Sequence, residues 1–340
     1  VILSTKNIFS FILAIFPLAT YAQLNDQSLY EKSVLWVEEN LNYYDSNYVE
    51  KFPFKYMVGT RLSRWDNAYD LEFGDNEALN LRSEAFHSVG VSLGYKLISF
   101  NYNINFSRFD SQNDLSDNQF NVMLNTSRLV GEFSYSINEG GVTVETYRKE
   151  VEGEEQSIDI DKSFDGLRNQ SFSLDLHYFF NGKKYSNAAA YSVSYINKQV
   201  QNAGSFIAGV SFSGQATYID FQKLVEETGV ESFPNRDELN VNYRTLAINF
   251  GYGYSFVFFE NWLLNATAIP TAGIKFYEQE ENEANGRFAL GGKSRLSVVY
   301  NRENHFISLN YNNFSEVYFS EDYRLTNTLG TLSLSGGIKF

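Results

Sequence analysis

The stretch "ISFNYNINFS" (98–107) alternates with a period of two. Ile98, Phe100, Tyr102, Ile104 and Phe106 are apolar or aromatic, whereas Ser99, Asn101, Asn103, Asn105 and Ser107 are small and polar. Successive side chains on a β-strand point to opposite faces, so this stretch has one oily face and one wet face. Two environments call for such a strand. One is a soluble sheet covered on one side, the other a barrel wall between lipid and an aqueous interior.

The pattern recurs along the chain. In 168–180, Phe172, Leu174, Leu176, Tyr178 and Phe180 oppose Ser171, Ser173, Asp175 and His177. In 242–258, Leu246, Ile248, Phe250, Tyr252, Tyr254, Phe256 and Phe258 oppose Ala247, Asn249, Gly251, Gly253 and Ser255. Strands are expected at 54–73, 84–96, 97–109, 118–128, 129–147, 168–180, 186–199, 204–220, 242–258, 262–277, 285–300, 305–318 and 327–340. Most of these reach the roughly 9–11 residues that cross a bilayer at a tilt.

Short connections fall near Lys96, Ser127–Arg128, Asn181–Lys184, Glu260–Asn261 and Arg302–Asn304, and long polar ones at 110–117, 148–167, 221–241, 278–284 and 319–326. Outer-membrane barrels keep short turns in the periplasm and long loops outside. Successive short turns must then be separated by an even number of crossings. The rule fails only between Asn181 and Glu260, where three segments lie. Either 186–220 is less regular than it looks, or Ser213–Gly214 turns the chain and hides a strand, or 221–241 crosses the lumen as a plug. The expected architecture is an all-β, transmembrane, antiparallel up-and-down barrel of 12 strands, with 14 as the alternative.

Composition agrees with a barrel. The 340 residues hold 30 Phe and 24 Tyr but only 4 Pro, and the mean hydropathy is −0.32. A polar average built from oily alternation suits a wall whose inner face is wet. A large soluble sandwich would rarely place so many Tyr and Phe outward. The net charge of −14 argues against nucleic acid, which needs a basic footprint. Cysteine is absent, which excludes disulfide staples, thiolate metal sites and a cysteine-linked lipid anchor.

The first 22 residues read as a secretory signal peptide. Lys6 precedes the apolar "IFSFILAIFPLA" (8–19), and Thr20 and Ala22 are small residues ahead of Gln23. The apolar run is shorter than the roughly 20 residues of a spanning helix. In 23–53, Tyr30, Val34, Val37, Leu41 and Tyr44 share one helical face, which predicts a short periplasmic amphipathic helix and linker. Asn25, Asp26 and Ser28 offer its N-cap oxygens. The barrel is expected over 54–340, ending on Phe340, a terminal aromatic of the kind that barrel-insertion machinery recognises.

Three stretches carry a resemblance. They are "YYDSNYVEKFPFKYMVGTRLS" (43–63), "INKQVQNAGSFIAGVSFSG" (196–214) and "LAINFGYGYSFVFFENWLLNATAIP" (246–270). With Asp45 and Tyr48 entering the first strand, Ala203–Phe206 as an Ala-Gly-Ser-Phe element and Gly251–Tyr254 as a Gly-Tyr-x-Tyr strand, the chain resembles a Bacteroidota outer-membrane β-barrel family of unknown function. The segment 148–167 looks longer and more acidic than that family would imply. The resemblance implies a fold and a bacterial outer-membrane location. It carries over no functional residues.

Searching for chemistry yields little. Ser173, Asp175 and His177 sit at i, i+2 and i+4 and form the one catalytic candidate. Their Cα atoms stand roughly 6.5–7 Å apart per step, loose for a triad, and they face the lumen while a bilayer lipid would lie outside. His87 shares a face with Val89 and Val91, and His305 follows a turn. "GYGYSF" lies within a strand and cannot cradle phosphate at a helix start, and "GGKS" (291–294) lacks the P-loop spacing. Asp159, Asp161, Ser163 and Asp165 resemble a calcium loop, yet Phe164 and Gln170 stand where such a loop needs Gly and a bidentate Glu. No cofactor is expected beyond a weakly held divalent cation on the extracellular acidic loops.

The expected lipid-facing residues are Ile98, Phe100, Tyr102, Ile104, Phe106, Phe172, Leu174, Leu176, Tyr252, Tyr254 and Phe256. The functional expectation is a non-enzymatic accessory or structural component of an envelope complex. A narrow diffusion channel for small polar or cationic solutes is the first alternative, and a lipid-modifying enzyme the second. Its partners would be outer-membrane lipid and lipopolysaccharide, the barrel-insertion machinery and other envelope proteins.

Overall fold

The computed structural model describes residues 41–73, 77–83, 85–105, 118–139, 142–151, 154–164, 166–192, 194–229, 237–277, 287–319 and 323–340. The chain divides into two units, Val1–Tyr43 and Tyr44–Phe340, and the second holds the fold. The expected signal peptide and most of the expected N-terminal helix lie outside the described residues.

In chain order the elements are β1 (Val49–Lys51), β2 (Tyr56–Phe73), β3 (Glu77–Ser83), β4 (Phe86–Tyr95), β5 (Ile98–Asn105), β6 (Asn118–Asn125), β7 (Leu129–Glu139), β8 (Val142–Val151), β9 (Glu154–Phe164), β10 (Leu167–Phe179), α1 (Asn187–Tyr191), β11 (Asn197–Gln199), β12 (Ala203–Asp220), α2 (Phe221–Thr228), β13 (Glu238–Phe259), β14 (Trp262–Tyr277), β15 (Arg287–Arg302), β16 (His305–Phe319) and β17 (Tyr323–Lys339). Twelve of the strands (β2, β4–β7, β10 and β12–β17) close an antiparallel barrel, each paired to the next in the wall and β17 back to β2. The seam runs from Met57 opposite Lys339 to Phe73 opposite Tyr323. Closure removes every edge from the wall and so satisfies its backbone donors and acceptors internally.

Alternation sets which way the wall faces. Along β4 the side chains are buried and exposed in strict turn from Phe86 to Tyr95. On β13 the even positions point outward, with Ile248 70% and Phe250 60% exposed, while Asn249 on the same strand is buried. The outside is therefore apolar and aromatic, and the inside is built of Asn, Ser, Thr and a few charges.

Tight turns gather at one end. Lys96 has φ 49°, the left-handed conformation that closes the β4–β5 hairpin. At Thr126 the side-chain hydroxyl bonds both the N–H and the carbonyl of Leu129. The same end receives Phe340, whose main chain pairs with Tyr56 and whose ring stacks on Tyr56 at 5.8 Å.

Five expectations need correction. Residues 186–199 do not form a wall strand. They contain α1 and β11, folded into the barrel, which leaves 12 crossings and resolves the parity failure in favour of an irregular 186–202. Ser213–Gly214 does not turn the chain, since β12 runs unbroken from Ala203 to Asp220. The expected strand 129–147 is divided: β7 stays in the wall, whereas β8 leaves it. Residues 148–167, expected as a loop, hold the end of β8 and all of β9, and 221–241, also expected as a loop, begins with α2.

These last pieces build a flap at the loop end. β3 and β4 lie one after the other along β2, opposite 68–73 and 56–65 with a one-residue slip, and the sheet splits on their far side, where β4 pairs with β5 but β3 pairs with β8, so that β8 and β9 leave the wall. Helix α2 is capped by Asp220, which accepts from Lys223 N at 2.9 Å, and ends on Gly229 at φ 74°. Its Phe221 and Leu224 pack with Leu81, Val144, Ile219 and Tyr243 in one buried apolar cluster. Short β-branched and Leu-rich strands leave the wall because this cluster removes their apolar faces from water.

Candidate functional site

The lumen is where polar chemistry concentrates, and two structures occupy it. The first is a plug made by residues 181–192 and 194–202, between β10 and β12. Ser186 caps α1 by accepting from Ala189 N at 3.2 Å. The run Ala188–Ala190 has no side chain beyond a methyl, which lets α1 lie close against the inner wall. Ser297 Oγ donates to the Ala190 carbonyl at 2.7 Å, and the Tyr191 hydroxyl donates to the Arg295 carbonyl at 3.0 Å. Asn301 Nδ2 donates to the carbonyls of Tyr195 and Asn197, both at 3.0 Å. Tyr185 stacks on Phe179 at 5.6 Å and receives Asn265 Nδ2 at 3.1 Å. Burial pushes the Tyr185, Tyr191 and Tyr195 hydroxyls above their ordinary range, so they serve as neutral donors.

The plug is tied to the segment before the barrel. β1 pairs antiparallel with β11 from Val49–Gln199 to Lys51–Asn197. Asp45 N bonds the Lys183 carbonyl at 2.8 Å, and Val200 N bonds the Tyr48 carbonyl at 2.8 Å. Tyr44 is buried beside Ser186 and Asn197, and desolvation raises its pKa to about 12.

The second structure is a band of charges crossing the lumen above the plug. Lys293 reaches Asp175 at 2.5 Å, and Arg295 reaches Glu132 at 2.6 Å. Nearer the loop end, Lys275 Nζ lies 3.3 Å from Glu316 and 4.0 Å from the Tyr243 ring centroid. Each is an inward residue on its strand; the first two pairs join β15 to the distant β10 and β7, and the third bridges β14 and β16 across β15. A charge buried without its partner costs several kcal/mol, so opposite signs meet here as a condition of folding. Between band and wall lies a cavity of 260 Å³ whose lining includes Arg61, Asn101, Asn103, Gln119, Asn121 and Asn312.

The catalytic candidates do not form a relay. Ser173 Oγ is 3.3 Å from Asp175 Oδ2, but that carboxylate is held by Lys293 and by the Ser211 hydroxyl. His177 Nε2 meets Asn249 Nδ2 at 3.2 Å, and Asn249 in turn donates to Ser211 at 2.6 Å. All three therefore belong to a lumenal hydrogen-bond network. His87 is exposed on the outer face, and His305 Nδ1 lies 2.9 Å from Asn304 at a turn.

Of the metal candidates, Asp159, Asp161 and Ser163 are exposed along β9, spaced out by an extended strand. Asp165 lies outside the described residues. No group of three or more His, Cys, Asp or Glu that could hold a metal occurs among the described residues. Of the residues expected to face lipid, Ile98, Tyr102, Ile104, Leu174, Leu176, Tyr252, Tyr254 and Phe256 are exposed on the outer wall. Phe100 and Phe172 are half-buried against neighbouring rings at 5.0 Å (Phe120) and 5.6 Å (Phe212). Phe106 lies outside the described residues.

Sequence reading missed Arg61, Glu132, Lys275, Lys293, Arg295 and Glu316. The signal was available: each is a lone charge at an inward position of an alternating strand, where solvated surface charge is not an option. The plug tyrosines gave none, because 186–199 reads as one more strand.

The family model described as a domain of unknown function (DUF4421) matches residues 43–340. No protein of curated function matches the sequence. Solved structures that resemble the chain include the outer membrane protease OmpT of Escherichia coli, at 11% identity over 86% of this chain and 98% of that one, with a TM-score of 0.35. The toluene transporter TodX of P. putida matches at 8% identity over 85% and 91%, with a TM-score of 0.26. The beta domain of the Bordetella autotransporter BrkA matches at 6% identity over 83% and 100%, with a TM-score of 0.35. At these scores none of their activities transfers to this chain.

Proposed function

The chain belongs to the family described as a domain of unknown function, DUF4421, and from that premise we propose an integral barrel of the bacterial outer membrane, closed to free diffusion. It acts as a non-enzymatic accessory or structural component of an envelope complex. The plug is the observation that carries this reading: 181–202 fills the turn end of the lumen and is bonded to the wall at Asn265, Arg295, Ser297 and Asn301. The apolar exterior supports the membrane location, since in water such a surface would be an exposed patch far larger than soluble monomers carry. Lipid and lipopolysaccharide would cover the outer wall, and the insertion machinery would meet β17 and Phe340. Cleavage of residues 1–22 as a signal peptide and an origin in Bacteroidota belong to the same reading.

Planar-bilayer recording of the purified protein tests it. Electrical silence is expected, and a steady ion current would overturn the closed barrel. Purification in mild detergent should then bring down other envelope proteins with it.

A second reading, a narrow channel for small polar or cationic solutes, draws support from the polar cavity above the plug. It requires 181–202 to leave its seat. A lipid-modifying enzyme has less support, because Ser173 and His177 face the lumen and a bilayer substrate would not reach them. Ser173→Ala should leave any turnover of envelope lipid unchanged.

A further inference from the structure

The cavity above the plug has an imbalance of charge. Its lining holds Arg61, Lys293 and Arg295 against Glu132, Asp175 and Glu316. Lys293 is committed to Asp175 and Arg295 to Glu132, while Glu316 is neutralised from behind by Lys275. Arg61 is left over. Among the described residues it makes one hydrogen bond, Nε to Ser335 Oγ at 3.1 Å, and no ion pair. A guanidinium has five donors in a planar fork, so Arg61 keeps most of its capacity for an anion.

Around it the lining is rich in amides, with Asn101, Asn103, Gln119, Asn121, Asn312 and Asn313 all facing the same space. Asn103 and Asn310, 6% and 5% exposed, line it as well, with their amide oxygens sealed from its open space. Gln119 and Asn312, both half-buried, line the same cavity. Amides offer donor and acceptor side by side, and a hydroxyl answers both. The volume of 260 Å³ lies just under the roughly 300–1,000 Å³ of sites for drug-sized ligands. The occupant must therefore be small.

We propose that this cavity is a binding site for a small hydroxylated monocarboxylate of the sugar-acid class, with Arg61 taking the carboxylate and the Asn and Gln amides taking the hydroxyls. The single unmatched cation favours a monoanion over a phosphate dianion. The inference goes beyond the closed-barrel reading, and it stands whether or not the plug ever moves.

Calorimetric titration of the full-length protein in detergent with sodium glucuronate, glucose and inorganic phosphate provides the test. Saturable binding of glucuronate is expected, with glucose weaker by about tenfold or more, the scale of one charge-assisted contact. Arg61→Gln should remove that preference, and Arg61→Lys should keep part of it. A glucuronate-ended tetrasaccharide distinguishes the two sources: binding as tight as the free acid points to the end of a glycan, and weaker binding to a free metabolite. Failure of glucuronate to bind saturably, glucose binding as tightly as glucuronate, or phosphate binding more tightly would each overturn the proposal. Heat-modifiable gel mobility reports whether Arg61→Gln is folded. If it is not, Asn312→Phe fills the cavity while sparing Arg61, and unchanged glucuronate binding in that variant would also overturn it. Bilayer current bears on the closed barrel alone, so the two readings fail separately.

Discussion

The hydroxyl of Tyr191 donates to the main-chain carbonyl of Arg295 at 3.0 Å, and the side chain of the same Arg295 reaches across the lumen to Glu132 at 2.6 Å. One position of β15 thus holds the plug with its backbone and the opposite wall with its guanidinium. Tyr191→Ala should cost about 3 kcal/mol or more, the loss typical of truncating a buried ring. A lower midpoint of thermal unfolding in detergent and flickering currents in a planar bilayer are the expected readouts. A silent variant with an unchanged midpoint would show that the plug rests on other contacts.

The Glu132–Arg295 pair should behave as a unit. Glu132→Leu alone leaves a buried guanidinium unpaired and should destabilise by about 3–5 kcal/mol. Adding Arg295→Met should recover most of that loss, since an apolar pair of similar volume costs neither partner its hydration. Costs that simply add in the double variant would mean that the two charges do not depend on each other.

The outer wall makes a depth-dependent prediction. Ile248, 70% exposed near the middle of β13, should cost about 2–4 kcal/mol on substitution by Arg if it meets acyl chains. Spin labels placed singly along 98–105 should alternate, the even sites open to oxygen and the odd sites to a water-soluble relaxant. Equal access at both sets would remove the membrane wall.

Alkaline pH should loosen the strap that covers the plug. Burial lifts the Tyr44 pKa to about 12 from an ordinary value of 10.0, so the folded state favours the neutral phenol. That contribution is complete below pH 10 and is lost as pH rises towards 12, because the unfolded chain ionises first. Ultraviolet phenolate titration, with Tyr44→Phe as the control, should show this residue ionising late and the variant lacking that late step.

Much of the fold was legible because alternation is a local property. β4, β10 and β13 declare which face is wet one residue at a time, and the even-crossing rule located one of the places where the alternation misled. At 186–199 it misled for a physical reason: Tyr191, Tyr195, Asn197 and Gln199 are as mixed in character as a wall strand, but they are buried by the lumen and not by lipid. The flap was hidden for a similar reason. Whether 142–151 continues the wall or pairs with β3 depends on partners distant in sequence, and its own residues suit either sheet. The lumenal charges were visible singly, while their pairing needed three dimensions: Asp175 lies 118 residues from Lys293, and Glu132 lies 163 from Arg295.

The short ladder between β1 and β11 also has a mechanical meaning. Because Val49–Lys51 is laced to Asn197–Gln199 before the chain enters the wall at Tyr56, tension applied ahead of Asp45 arrives at the stopper first and at the staves afterwards. Three residue pairs give way under far less load than the seventeen that join β17 to β2. A tug on the leading segment would therefore be spent on the interior of the barrel, leaving its hoop intact.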